Sequence, residues 1–260
     1  MTTARSEEKV CLVTGGGSGI GRAVALALAN ANCMVVVSGR REEALAETVQ
    51  LAGTHSHRVI PLPADVAQAD SVRQLFANTC EKFGRLDVLF NNAGIHLPAT
   101  PLEEIPLDQW QQIVAVNLTG TFLCMQEAFR IMQRQKPQGG RIINNGSISA
   151  HVPRPHAAGY NATKHAVTGL TQSGSLEGRK HHIAVGQIDI GNAETPMSSE
   201  SLKKGSMQAD GEIRYLIKGC SILEKSPRLA ILLNKSKSSI IMSGYLPALR
   251  NISLRKTVDG

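Results

Sequence analysis

The chain has 260 residues, 42% hydrophobic and 19% charged, with a formal net charge of +7 and five cysteines. This is globular composition, and it excludes a collagen-like chain, low-complexity disorder and a disulfide-built miniprotein. No apolar run approaches the ~20 residues that cross a bilayer, and the polar start Met1–Lys9 lacks the apolar centre of a secretory signal, so a cytoplasmic protein with no membrane partner is expected.

The charge is uneven. Residues 1–210 hold 19 Lys and Arg against 18 Asp and Glu, whereas residues 211–260 hold 9 against 3. Only Tyr215 and Tyr245 are aromatic in that basic tail, so it lacks the stacking residues of a nucleic-acid surface, and no nucleic-acid partner is expected. The cysteines (Cys11, Cys33, Cys80, Cys124, Cys220) form no Cys-x-x-Cys pair. His55/His57 and His181/His182 lack ligand spacing and acidic or thiol partners, so reduced thiols and no metal site are expected.

In chain order, Lys9–Thr14 reads as a strand ending in glycines, and Arg22–Asn30 as a helix. Cys33–Ser38 is a strand and Arg41–Leu51 a helix with i, i+3, i+4 apolar spacing. Arg58–Leu62 and Ser71–Phe83 repeat the pair, followed by the strand Leu86–Phe90 and one long helix from Leu107 to about Gln133. Arg141–Ser147 is a strand, Tyr160–Glu177 a helix and Ile183–Ile190 a strand. Six strands alternating with helices specify an α/β fold, a Rossmann-like doubly wound parallel sheet flanked by helices, with an atypical C-terminal segment. Residues 1–211 are expected to form one nucleotide-binding domain, and residues 212–260 a divergent basic segment, incompletely ordered.

Thr14–Gly21 (TGGGSGIG) lies between the first strand and first helix. Glycines let a backbone turn sharply and approach a pyrophosphate, and the helix start presents N–H groups and a positive dipole end. The spacing is G-x-x-x-G-x-G, not the commonest dinucleotide pattern, and no Lys-Ser/Thr follows as in a P-loop. Ser38-Gly39-Arg40-Arg41 ends the second strand. An acidic residue there would bind ribose hydroxyls and repel a 2′-phosphate. Gly39 leaves room, and Arg40 and Arg41 supply positive forks, so NADP(H) is preferred and NAD(H) remains possible.

Tyr160 and Lys164 lie four apart and share a helix face, where the ammonium would lower the phenol pKa. Ser147, thirteen residues before Tyr160, would end a strand, where such sheets place ligands.

These elements together resemble the short-chain dehydrogenase/reductase family. The resemblance rests on Thr14–Gly21, Asn91-Asn92-Ala93-Gly94 after a strand, Asn117 in a long helix, Ser147 and Tyr160-x-x-x-Lys164, in register over residues 9–200. It implies hydride transfer between a nicotinamide and a carbonyl or secondary alcohol. Tyr160 would be the general acid and base. Lys164 would hold the nicotinamide ribose and depress the tyrosine, Ser147 would orient the carbonyl, and Asn117 would anchor a water that relays protons to Lys164. For the cofactor, the resemblance implies that Gly15, Ser18, Ile20 and Gly21 pack on the pyrophosphate and ribose. Asp65 and Val66 would contact adenine. Asn92, Ala93 and Gly94 would line the ribose side and brace the sheet, and Thr195 would bind the carboxamide. Partners would be a small carbonyl or alcohol substrate, with an acyl-carrier-linked 3-oxoacyl substrate as a variant, and a second or further copies in a homodimer or homotetramer.

Two departures are visible. Ile190-Gly191 stands where the family has Pro-Gly, and after about Gly211 the match fades, with Ser239–Leu246 only faintly similar to the family's last strand. The Lys- and Ser-rich tail reads as foreign sequence, from an altered reading frame or alternative exon. A cofactor-binding but catalytically impaired isoform is therefore the alternative reading, and a binder of acidic partners through the tail a third. His151 and His156 are candidates to line the substrate pocket, and Glu194–Asp210, with Met197 and Met207, to form a lid.

Overall fold

The computed structural model describes residues 8–191 and the short strand residues 206–207, 213–214 and 241–242. In chain order the elements are β1 (Val10–Thr14), α1 (Gly19–Asn30), β2 (Met34–Gly39), α2 (Glu42–Leu51), β3 (Val59–Pro63), α3 (Ala69–Phe83), β4 (Val88–Asn91), α4 (Leu107–Val114), α5 (Gly120–Arg134), β5 (Gly140–Asn145), α6 (Ala158–Gly178) and β6 (Ile183–Ile188). Three two-residue strands follow: β7 (Ser206–Met207), β8 (Ile213–Arg214) and β9 (Ile241–Met242).

The strand cores are β-branched and apolar because both faces of the sheet are covered. Successive side chains alternate between faces. Leu12 of β1 joins Val36, Leu89 and Ile142 under α3 and α5, with Phe76 and Met132 from those helices. Its neighbours Cys11 and Val13 point the other way, to Val35, Val37 and Phe90, under Val24 and Leu28 of α1 and Leu45 of α2. The sheet order is β3-β2-β1-β4-β5-β6-β9, and every pairing in it is parallel. The chain winds outward from β1 to β3, then returns to lay β4 on the other side of β1. That reversal sends the helices that follow β1 and β4 to opposite faces of the sheet and leaves a crevice at the C-terminal ends of these strands.

The expected α/β doubly wound sheet is therefore observed, with local differences. The long helix runs from Leu107 to Arg134, but Ala115–Thr119 forms a π-helical turn, a device concentrated at functional sites, and Asn117 sits in it. The fifth strand stops at Asn145 rather than Ser147. Ser147 instead starts a 3₁₀ turn, its Oγ accepting the Ser149 N–H at 3.1 Å. The last strand of the expected six stops at Ile188, so Asp189 and Ile190 belong to the loop. Within the faintly similar segment Ser239–Leu246, β9 pairs with Gln187–Ile188.

Among the described residues no helix is long and apolar enough to cross a membrane, no cluster could hold a metal ion, and Cys11, Cys33, Cys80 and Cys124 are free thiols.

Candidate active site

The glycine turn after β1 is shaped by crowding. Gly15 has φ +65°, and a Cβ on Gly21 would collide with the Gly15 carbonyl and with Asn92 Nδ2. Asn92 explains that closeness: its Nδ2 donates to Thr14 O at 2.9 Å and Gly15 O at 3.3 Å. Thr14 Oγ1 accepts the N–H groups of Asn92 and Ala93, each at 3.0 Å. The turns after β1 and β4 are thus stitched together. From the other side, Thr48 of α2 donates to Gly16 O at 3.0 Å, and Arg22 donates to Gly17 O and to Thr48 Oγ1. Ser18 is the N-cap of α1, whose first turn holds no acidic residue, so its positive dipole end is not neutralised locally.

These turns wall a cleft of about 180 Å³. Gly15, Gly17 and Ser18 line it from the first turn, and Gly39, Arg40 and Arg41 from the end of β2. Ala64, Asp65 and Val66 line it after β3, and Ala93, Gly94 and Ile95 after β4. A Cβ on Gly39 would meet only Leu45 Cδ2, at 3.8 Å, so the backbone does not demand glycine there and its absence of side chain widens the cleft beside the arginines. One Asp65 oxygen is already engaged, accepting the Ala67 N–H at 3.0 Å. A glycine cradle that admits no side chain, a helix N-terminus and two cationic side chains fit a dinucleotide.

Three residues expected at the cofactor are not among those lining this cleft. Ile20 packs against the apolar cluster under α1 and α2, and Gly21 lies behind Gly15. Asn92 is committed to bracing the turns, and its Oδ1 also accepts from Asn145 Nδ2 at 2.9 Å. Thr195 and most of Glu194–Asp210 lie outside the described residues, as does the 212–260 segment apart from its short strand residues.

Beside the cleft, α6 carries Tyr160 and Lys164. Lys164 Nζ donates to Asn145 O at 2.7 Å and lies 5.5 Å from the Tyr160 ring centre. The Ser147 hydroxyl faces the Tyr160 phenol and favours its ionised form. Asn117, 2% exposed, bonds both polar groups of Ile95: the Ile95 N–H donates to Oδ1 at 2.8 Å, and Nδ2 donates to Ile95 O at 3.0 Å. Its Nδ2 also reaches Thr163 Oγ1 at 3.5 Å, so its side chain braces the loop after β4 against α6.

Burial dominates the electrostatics. It pushes the Tyr160 phenol above its ordinary value, against the Ser147 hydroxyl and the Arg154 guanidinium, which pull it down. The expected net lowering of Tyr160 is therefore reversed in the protein alone. Burial also brings Lys164 down to about 8, opposed by the charge of Asp189. Desolvation disfavours both charged forms because the protein withdraws both groups largely from water.

Asp189 and His96, which sequence reasoning did not single out, stand at the site with His151 and His156, which were expected to line the substrate pocket. Asp189, just past β6, is buried, and its Oδ1 accepts the Ser147 N–H at 3.1 Å. His151 Nε2 is 2.8 Å from Asp189 Oδ2. His96 stacks on Tyr160 with ring centres 5.0 Å apart, and burial lowers its pKa. His156, with Trp110 and Ile113, lines a small apolar pocket that reaches Tyr160. An acidic residue at the end of an interior strand was the available signal for Asp189, since an unpaired buried carboxylate there would be costly.

The family model for short chain dehydrogenases matches residues 9–205. A 3beta-hydroxysteroid dehydrogenase of Mediterraneibacter gnavus is 39% identical over 197 residues, 76% of this chain and 70% of that protein. Among solved structures, an actinorhodin polyketide ketoreductase with NADPH superposes with TM-score 0.72 at 32% identity, covering 77% of each chain. A 3-ketoacyl-(acyl-carrier-protein) reductase from Brucella melitensis complexed with NADH gives TM-score 0.70 at 31% identity, covering 75% of this chain and 80% of that one. The fold is that of a nicotinamide-dependent oxidoreductase. The chain belongs to the short-chain dehydrogenase family.

Proposed function

We propose that this protein is an NADP(H)-dependent oxidoreductase acting on a small carbonyl or secondary alcohol, with Tyr160 as the general acid and base. The observation that carries this reading is the convergence of Ser147, Tyr160 and the Lys164 ammonium beside the glycine-walled cleft.

The bound nicotinamide supplies the hydride in reduction and accepts it in oxidation. Ser147 holds the substrate oxygen next to the phenol, and Tyr160 gives its hydroxyl proton to that oxygen as the alcohol forms. In the reverse direction Tyr160 takes it back. Lys164 stabilises the phenolate left behind and holds the nicotinamide ribose. Asn117 keeps the Ile95 loop in place against α6, which sets the wall of the cleft, and stands on the proposed proton route to Lys164. Asp65 and Val66 bound the adenine end, Ala93 and Gly94 the ribose side, and Thr195 the carboxamide. Arg40 and Arg41 bind the 2′-phosphate, which favours NADP(H) over NAD(H). Of the two related structures described above, one holds NADPH and the other NADH, so the choice rests on these side chains.

Fluorescence titration tests the cofactor reading. The native chain binds NADPH at least tenfold more tightly than NADH, and Arg40→Leu with Arg41→Leu abolishes the difference. Equal affinities in the native chain overturn the preference. For the chemistry, Tyr160→Phe binds NADPH normally and reduces a ketone panel at least a hundredfold more slowly; native-like rates refute the assignment of Tyr160.

A second reading has its own observation: the family match ends at residue 205, before the basic segment 212–260. In that reading the chain binds cofactor but lacks a productive substrate wall. Normal NADPH binding with no turnover across the panel selects it.

A further inference from the structure

The proposed chemistry depends on where the Ser147 hydroxyl stands, and Ser147 is not held by β-sheet pairing alone. β5 ends at Asn145, yet the loop beyond it stays tied to the strand beside it. Gly146 N–H donates to Ile188 O at 2.9 Å, and Ile148 N–H donates to Ile190 O at 3.2 Å. Between them the Ser147 N–H turns to a side chain, Asp189 Oδ1, at 3.1 Å. The same oxygen accepts from Gln187 Nε2 at 2.6 Å, and Asp189 Oδ2 meets His151 Nε2 at 2.8 Å.

The carboxylate is built into the backbone. A Cβ on Gly146 would collide with Asp189 Oδ1 and stand 2.6 Å from Gln187 Nε2, so this glycine makes room for the acid. The Asp189 side chain is 4% exposed, whereas that of His151 is 52% exposed. The imidazole therefore covers the carboxylate at the side open to solvent. Gln187 is fixed in turn, its Nε2 donating to Thr168 Oγ1 at 3.0 Å and its Oε1 accepting from Thr171 at 3.1 Å. A buried carboxylate persists only with such a set of donors.

We propose that Asp189 is a positioning residue for Ser147, with His151 as the group that closes its carboxylate from solvent. The inference rests on the role given to Ser147 above. Asp189 touches neither cofactor nor substrate. It sets the Ser147 backbone, and through it the hydroxyl that meets Tyr160. Its charge also faces Lys164, and the remaining titratable groups around that centre are His96 and Tyr160 itself, with Arg154 from the loop before α6.

The test uses the full chain with NADPH and ethyl acetoacetate as the carbonyl probe, in a double-substitution cycle. Asp189→Asn keeps an oxygen for Ser147 and Gln187, and His151 can accept from the new amide by changing tautomer. Asp189→Leu removes the acceptor at similar size. We expect Asp189→Asn to keep kcat within about threefold. Asp189→Leu lowers kcat at least tenfold with NADPH affinity unchanged, and Ser147→Ala with Asp189→Leu is no slower than Ser147→Ala alone. Multiplying losses in the double variant overturn the proposal, because Asp189 then acts by another route.

Amide hydrogen exchange adds a readout that needs no turnover. The Ser147 amide exchanges at least tenfold faster in Asp189→Leu and at the native rate in Asp189→Asn; equal protection in all three refutes the proposal. If Ser147→Ala leaves kcat unchanged, the role of Ser147 fails while the exchange result still judges Asp189. Should Asp189→Leu not fold, His151→Leu takes its place in both measurements, with a smaller loss in the same direction and none beyond Ser147→Ala.

Discussion

Asn117→Asp exchanges one donor for one acceptor without changing shape. In the native protein the Asn117 amide completes both polar groups of Ile95, at 2.8 and 3.0 Å, from a site 2% exposed. A carboxylate keeps the bond from Ile95 N–H but sets a second oxygen against Ile95 O. Leaving that carbonyl without a donor costs about 1–3 kcal/mol, and the buried charge adds to it. We take ~3 kcal/mol in total, which lowers Tm by about 6–12 °C in a protein of this size.

The sign of the pH dependence follows from the protonated form. A protonated carboxyl donates to Ile95 O again, so burial and that hydrogen bond raise the folded-state pKa of the introduced group above its unfolded value near ~3.9. Its stabilising contribution is present below the unfolded value and is lost as pH rises through the folded one. Thermal unfolding followed by circular dichroism at several pH values, always against the native chain, measures this. The deficit should be small near pH 4.5 and large at pH 7.5, whereas Asn117→Leu shows a loss independent of pH. A constant deficit in Asn117→Asp, or none at all, refutes the clamp on Ile95.

Other substitutions probe the remaining parts. Gly21→Ala forces a methyl group into Gly15 O and Asn92 Nδ2, so it should weaken NADPH binding at least tenfold and destabilise the fold by about 1–3 kcal/mol, read by titration and urea unfolding. Because burial places Lys164 at about 8, kcat/KM for carbonyl reduction should be highest below that value and fall as pH rises through it. A flat profile from pH 6.5 to 9.5 contradicts this. The Cys11 hydrogen bond brings the Cys33 thiol down to about 7, while burial pushes Cys124 up to about 12. Cys33 should therefore react with a disulfide reagent at pH 7.5 well before Cys124, and Cys33→Ser should remove that fast phase.

The order of elements was legible from local pattern because each strand is a short apolar run and each helix carries its own periodicity. Gly15, Ser18, Ser147, Tyr160 and Lys164 were legible for a related reason: the chemistry proposed for them restricts residue type at fixed spacing. The π-helical turn at Ala115–Thr119 was not, since nothing in its composition distinguishes it from the helices on either side. Asn92 was expected both to line the ribose side and to brace the sheet, and only the proximity of the turns after β1 and β4 revealed which groups it braces, the carbonyls of Thr14 and Gly15, 78 and 77 positions away.

Local sequence determined the alternation of strands and helices, the glycine turn with two arginines beyond the second strand, and a tyrosine and a lysine on one helix face. These depend on neighbours within a few residues, which periodicity and spacing record directly. Tertiary structure alone decided that burial would raise Tyr160, and that Asp189 would hold the Ser147 backbone with His151 over it. Desolvation and hydrogen bonding act through space, and Ser147 and Asp189 meet only because β5 and β6 pair side by side, 42 residues apart in the chain.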